Sequence, residues 1–167
     1  MPNTSLLVMI DESSASERAV SYVAQIIGGR QGFRVCLAHA LPELPASLIE
    51  HGGAENPAAE KKLDSELRAE RKDWVAAAKK KAEPILSGAR AVLRNAGLTA
   101  SSIEERFSFP AEGRARGDDI LELAKESKCD TVVVGSESPS LPKRLLGDDP
   151  VDELIRRGKG FTIWVVE

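Results

Sequence analysis

The sequence is poor in the residues from which metal centres, disulfide frameworks and membrane spans are built. Only 2 of its 167 residues are cysteine and 2 are histidine, and aromatic residues make up 4%. Cys36 and Cys129 lie in or beside apolar runs, where a thiol usually packs as a small hydrophobic group. No run of about 18 apolar residues occurs, so the sequence predicts no bilayer span. These shortages exclude a disulfide scaffold, a cysteine or histidine metal cluster and a membrane-spanning protein.

Neither sign of charge is in large excess. The formal net charge is -3, the pI is about 5.6, and 42% of the residues are hydrophobic. This balance is typical of one soluble domain, expected to span residues 1–167, and gives no electrostatic reason to bind nucleic acid or an anionic membrane. The opening MPNTSLLVMID lacks the basic segment of a signal peptide. We therefore expect a cytoplasmic protein.

Short apolar runs alternate with helical patterns along the chain. Such runs are typical of strands buried on both faces, and their alternation with helices predicts a doubly wound α/β sheet. The more polar third run is expected to lie nearer a sheet edge. The predicted strands cover residues 5–10, 33–40, 102–109, 131–136 and 161–166.

The helix signals are less regular than the strand signals. Ser14 and Glu17 have the spacing of a capping box at the start of the first helix. Residues 41–58 contain three prolines and two glycines and predict a long loop. A charged helix is expected over residues 59–97, and Pro84 should kink it or split it in two.

A ligand in such a sheet binds beyond the carboxyl ends of the strands, where the strand order reverses. Asp11 follows the first predicted strand, where its carboxylate can accept from ribose hydroxyls or hold a metal, or can serve only as a turn residue. His39 follows the second strand and is expected to be packed and hydrogen-bonded. No Ser/His/Asp or Cys/His arrangement and no framed pair of carboxylates is found. The sequence therefore does not predict an enzyme.

Several segments resemble universal stress proteins. These are LLVMIDESSASERAV, AHALPEL, GDDILELAKESKCDTVVVGS, KRLLGDDPVDELIRR and FTIWVV. The resemblance covers nearly the whole chain, apart from the loop at 41–58 and the extended second helix. It implies a five-stranded parallel sheet of order 3-2-1-4-5, a role in the stress response and, commonly, a homodimer formed through the last strand. The apolar 161–166 strand with Trp164 is a plausible pairing edge on its own terms.

The resemblance also implies where a nucleotide would bind. Family members that bind ATP carry Gly-x2-Gly-x9-Gly followed by Ser or Thr, which offers backbone amides and a helix N-terminus to the phosphates. Gly135 matches the first glycine, but Ser138 stands at the second. Asp148 falls at the third, because Gly147 arrives one residue early. Carboxylates therefore stand where phosphates should lie, and a local alternative makes Asp149 the cap of the last helix.

The sequence thus predicts a vestigial nucleotide crevice with no bound cofactor. The predicted function is that of a universal stress protein that does not bind ATP and acts as a homodimeric interaction module with an unknown protein partner. The alternative is a switch that binds ATP with Mg²⁺ through a divergent phosphate loop. A third reading is a small ligand other than ATP. The predicted crevice residues are Asp11, Ala40, Gly135, Ser136, Ser138, Gly147 and Asp148.

Overall fold

Strands and helices alternate along the parts of the chain that the structure describes. A computed structural model describes residues 4–49, 56–110, 114–137 and 150–167. Short 3-10 turns occupy Ala46–Leu48 and Ala100–Ser102. In chain order the longer elements are β1 (Thr4–Met9), α1 (Ser14–Ile27), β2 (Phe33–Ala40), α2 (Pro57–Asn95), β3 (Ile103–Ser108), α3 (Arg116–Glu126), β4 (Thr131–Gly135), α4 (Pro150–Arg157) and β5 (Thr162–Val166).

The strands form one five-stranded sheet in the order β3-β2-β1-β4-β5. Every pairing is parallel, and β1 lies between β2 and β4, with Leu7 in register with both Cys36 and Val132. Since consecutive parallel strands need crossover connections, the helices cover the faces of the sheet. The predicted fold class and strand order are confirmed.

The central strand shows why the sequence of β1 lacks polar alternation. Leu6 and Val8 point into a core formed with α1 and α2, whereas Leu7 points into a second core formed with α3 and α4. All three side chains are fully buried. Because successive side chains of a strand face opposite ways, only a continuous apolar run can fill two cores.

The first helix begins differently from the sequence-based prediction. Ser13, not Ser14, is the N-cap of α1, and its hydroxyl accepts from the Ser16 amide at 3.1 Å. The capping box predicted from Ser14 and Glu17 is therefore wrong. The preceding turn places Ser13 at the N-cap, because Asp11 Oδ1 accepts from both the amide and the hydroxyl of Ser13.

The second helix also departs from its prediction. It begins at Pro57 because Asn56 caps it, accepting from the Ala59 amide at 2.9 Å, and proline suits the first helical position. It then continues through Pro84 to Asn95, so Pro84 does not split the helix in two, which was one of the two outcomes expected for it. Pro84 lies on the exposed side, where the carbonyl that lost its partner can bond to water.

The two edges of the sheet differ in chemistry. On β3, Glu104 pairs with Arg34 and Arg106, both at 3.0 Å, and Glu105 pairs with Arg90. On β5 the strand reads TIWVV, with Val165 exposed. The polar β3 therefore lies at an edge, as predicted, while the opposite edge is apolar.

None of the described helices is both long enough and apolar enough to cross a membrane.

Candidate functional site

A crevice of about 700 Å³ opens at the carboxyl ends of the strands. Its walls come from the ends of β1, β2 and β4, from the start of α1, and from the first turns of α3 and α4. A crevice of this size can bury a small organic ligand. Its position beside β1 and β4, where the strand order reverses, is where open α/β sheets bind ligands.

Asp11 lies at the floor of this crevice, directly after β1. Its Oδ1 accepts from the Ser13 amide at 2.8 Å and from the Ser13 hydroxyl at 2.5 Å. Its own amide donates to Ser16 Oγ at 2.9 Å. Asp11 thus closes a turn that aligns the first turn of α1, and its exposed carboxylate also faces the crevice. Asp11 can therefore close this turn and contact a ligand in the crevice at the same time.

Gly135 ends β4 where the sheet meets α1. A Cβ built on Gly135 would lie 2.2 Å from the carbonyl oxygen of Ala15, a distance that no real side chain accepts. Close packing against α1 therefore requires glycine at this position whether or not a phosphate binds nearby. Gly135 by itself is no sign of a nucleotide.

The next residues direct their polar groups into the protein. The Ser136 amide donates to the carbonyl of Val166 at 2.8 Å, so β5 already uses the first amide beyond β4. Arg18 Nη2 lies 3.4 Å from the Ser136 carbonyl oxygen. Glu137 Oε1 accepts from Ser14 Oγ at 3.2 Å, which holds this carboxylate beside the start of α1. Ser136 and Glu137 both line the crevice.

The remaining predicted site residues fall into two groups. Ala40 lines the crevice at the carboxyl end of β2, as the sequence suggested. Ser138, Gly147 and Asp148 lie outside the described residues, as does Asp149.

Sequence reasoning missed most of the charged groups that line the crevice. Arg116, in the first turn of α3, is exposed and has no ion pair among the described residues. Asp119 follows it and lies 3.6 Å from Arg114 Nε. Glu43, in the loop after β2, is exposed at the opposite side. The sequence suggested that Asp118 and Asp119 open the third helix, so Arg116 at its actual start was overlooked, and no local pattern directs Glu43 to the crevice.

The charges of the described lining are strongly unequal. Four carboxylates, those of Asp11, Glu43, Asp119 and Glu137, line the crevice with the one guanidinium of Arg116. Like charges about 4 Å apart repel by roughly 1 kcal/mol in bulk water and by more at lower dielectric. The lining therefore opposes a polyanion more than a neutral or singly charged ligand. No group of three or more metal-ligating side chains is found in the described ranges.

His39 does not line this crevice. Its Nδ1 donates to the carbonyl of Ile10 at 2.9 Å, which fixes the ring against the end of β1. The histidine faces a smaller groove of about 250 Å³ beside Trp74 and Lys81 of α2. The prediction that His39 is packed and hydrogen-bonded is confirmed.

Comparisons with known proteins give one consistent result. The model of the universal stress protein family matches residues 2–159. A solved universal stress protein in complex with cAMP is 24% identical, with a TM-score of 0.62, over 100% of this chain and 98% of its own. A protein from Mycobacterium tuberculosis H37Rv is 26% identical, with a TM-score of 0.51, and the match covers 100% of this chain and 97% of that protein. A universal stress protein from Archaeoglobus fulgidus in complex with dAMP is 18% identical, with a TM-score of 0.54, over 100% of both chains. No curated protein matches the chain.

Proposed function

We propose, on the premise that the chain belongs to the universal stress protein family, that it is a non-enzymatic member that does not bind ATP. In this proposal it acts as a homodimer in the stress response and recognises another protein through its surface. The observation that carries the proposal is the charge of the crevice, whose described lining holds four carboxylates and a single guanidinium.

The backbone supports the same conclusion. A triphosphate is usually held by unpaired amides at a glycine-rich turn and a helix N-terminus. Here the Ser136 amide is bonded to Val166, and Glu137 follows at once. In the sequence, Ser138 and Asp148 further replace the glycines of the family's ATP motif. The bonded Ser136 amide is one donor fewer for phosphate, Glu137 and Asp148 add negative charge, and Ser138 adds a Cβ where a close approach of phosphate to the backbone favours glycine.

The proposed dimer rests on the open edge of β5. The Thr162 amide donates to the carbonyl of Asp130, the residue before β4, and the Val166 carbonyl accepts from the residue after β4. Because bonding directions alternate along a strand, the amides of Ile163 and Val165 point away from the sheet. The T-shaped contact of Trp164 with Tyr22, at 6.1 Å between ring centroids, continues this apolar edge onto α1. A second copy of β5 offers the matching edge.

One observation favours a second candidate, a nucleotide-dependent switch with a divergent phosphate loop. Two similar structures are described as complexes with cAMP and with dAMP, each of which carries one phosphate. The crevice is large enough for such a ligand, and the exposed Arg116 provides one cation. Asp11 is available for a ribose hydroxyl. A mononucleotide fits this lining better than ATP with its three phosphates does.

Isothermal titration of the whole protein with ATP and Mg²⁺, AMP, cAMP and adenosine tests both candidates. No heat with any ligand supports the interaction module. Saturable heat with AMP or cAMP but not with ATP supports the second candidate and keeps the charge argument. Saturable heat with ATP would overturn the charge argument and support the switch that binds ATP with Mg²⁺. If AMP or cAMP binds instead, Glu137→Gln should strengthen binding, whereas Glu12→Gln, which removes an exposed carboxylate that lines the smaller groove, should not.

A further inference from the structure

A second concave site, of about 250 Å³, lies between α2 and the residues where β1 and β2 end. Among the described residues, only Pro42 lines both this groove and the crevice. The chain divides the two sites as it leaves β1, because Asp11 lines the crevice whereas the next residue, Glu12, lines the groove. The groove is therefore separate from the nucleotide crevice.

One face of α2 forms the apolar wall of the groove. Trp74, Ala78, Ala82 and Ile85 line it at spacings of three and four residues, so they follow one face of the helix. Between the two large side chains this face carries the small methyl groups of alanine, which leave the groove open. Such a wall suits an apolar group of a ligand.

His39 forms part of the opposite wall. Its Nδ1 donates to the carbonyl of Ile10 at 2.9 Å, so Nε2 of the neutral ring carries no hydrogen and can accept a bond. No donor in the described part of the chain bonds to this nitrogen. The half-buried ring therefore offers one unused acceptor to a ligand.

The groove also carries one charge of each sign. Glu12 and Lys81 both line it, and both side chains are exposed. Within the described ranges neither of them forms an ion pair or a side-chain hydrogen bond, so they face one groove without pairing with each other. Glu12 opposes a simple anion and Lys81 opposes a simple cation, whereas a zwitterion can pair with both.

We propose that this groove binds a free α-amino acid with an apolar side chain. The ligand's carboxylate pairs with Lys81, and its ammonium group donates to Glu12 and to His39 Nε2. Its side chain packs against Trp74 and the neighbouring alanines. A volume of about 250 Å³ equals the share of roughly eight water molecules in the liquid, which matches an amino acid of the size of leucine.

Binding at this place would join separate parts of the fold. Glu12 and His39 belong to the ends of β1 and β2, whereas Trp74 and Lys81 belong to α2. A ligand that contacts both sides binds the folded chain and not the unfolded one. It should therefore raise the temperature of unfolding as its concentration increases.

Isothermal titration of the native, full-length protein with leucine, isoleucine, valine, methionine and phenylalanine tests the site. At least one should give saturable heat, and the same amino acid should raise the unfolding temperature. Its amine analogue without the carboxylate and its acid analogue without the ammonium group (isoamylamine and isocaproate for leucine) should each bind about tenfold or more weakly, because one charged contact is lost. No saturable heat with any of these amino acids, or equal affinity for either analogue, would overturn the proposal.

Four variants locate the ligand. Glu12→Gln and Lys81→Gln should each weaken binding by about tenfold or more. Glu17→Gln and Lys80→Gln are the controls, since both remove an exposed charge outside the groove, and they should leave the affinity unchanged. Far-UV circular dichroism checks that all four fold. Unchanged affinity in Glu12→Gln and Lys81→Gln would place the ligand elsewhere and overturn the site.

Discussion

Glu153 of α4 caps the first turn of α3: its Oε2 accepts from the Gly117 amide at 2.9 Å. A Cβ on Gly117 would lie 2.6 Å from Glu153 Cβ, so the glycine permits this close approach. A second link joins the same helices, because Arg157 Nη1 lies 2.5 Å from Asp118 Oδ2. Two helices that contribute to one wall of the crevice are thereby held together through charged contacts.

Glu153→Gln should lower the free energy of unfolding by about 1–2 kcal/mol. The carboxylate bonds to an otherwise unpaired helix amide, and bonds to charged acceptors contribute more than neutral ones. Urea unfolding at neutral pH measures the change. Asp152→Asn is the matched control, since Asp152 is exposed on the same helix turn and its side chain makes no such bond to any residue that the structure describes. Equal effects of the two substitutions would contradict the capping role.

Gly135→Ala should destabilise the fold by about 2 kcal/mol or more, because the added methyl would meet the Ala15 carbonyl at 2.2 Å. Gly88→Ala is the control in α2, where an added Cβ meets nothing within 4 Å. That change should stabilise the protein by roughly 0.5–1 kcal/mol, since alanine favours a helix over glycine. Thermal unfolding should therefore show opposite shifts. A neutral Gly135→Ala would remove the packing explanation of this glycine.

Ser13→Ala should cost about 1 kcal/mol, because it removes the N-cap of α1. Ser14→Ala should cost much less, since its exposed hydroxyl bonds to the side chains of Glu137 and Arg18 and not to a helix amide among the described residues. Chemical denaturation of both variants separates the observed cap from the capping box that the sequence suggested. A larger loss with Ser14→Ala would reverse that assignment.

Val165→Lys should convert the proposed dimer to monomers, because it adds a charge to the open edge of β5. Val92→Lys is the control on α2: both valines are 39% exposed, so the same charge is added at equal burial. Sedimentation velocity at several concentrations measures the assembly. A wild type that sediments as a monomer throughout, or equal loss of dimer in both variants, would count against pairing through β5.

Restoring the family's phosphate motif should create ATP binding if the rest of the crevice tolerates it. The variant replaces Ser138 with glycine and the pair Asp148 and Asp149 with Gly-Ser. It removes two negative charges and restores residues that admit close backbone contact to phosphate. Titration with ATP and Mg²⁺ should show saturable heat that exceeds any seen with the wild type. No gain would mean that other residues of the crevice are also incompatible with ATP.

The sequence predicted the sheet well because each strand must fill two cores. Leu6 and Leu7 are both fully buried, on opposite faces of the sheet. Such a strand is a continuous apolar run, which can be recognised from a few neighbouring residues of the sequence. Helix starts were read less well. The N-cap role of Ser13 depends on its bonds to Asp11, and the composition of the first turn alone favoured Ser14.

The crevice could be located from the sequence, but its character could not. Asp11, Ala40 and Gly135 follow strands that end at one side of the sheet, so topology brings them together. The requirement for glycine at 135 comes from Ala15, and the use of the Ser136 amide comes from Val166. Contacts between residues so far apart in the chain leave no local pattern.

The unlike edges of the sheet limit how far copies of this protein can assemble. Strand addition of β5 to β3 would be head-to-tail and could propagate without end. The ion pairs along β3 disfavour that contact, and Lys79 lies 5.1 Å from the ring centroid of Phe107 at its end. The proposed pairing of β5 with β5 is instead an isologous contact that uses up both apolar edges. In that dimer, growth would end at two chains, and the strand that promotes association would also prevent a filament.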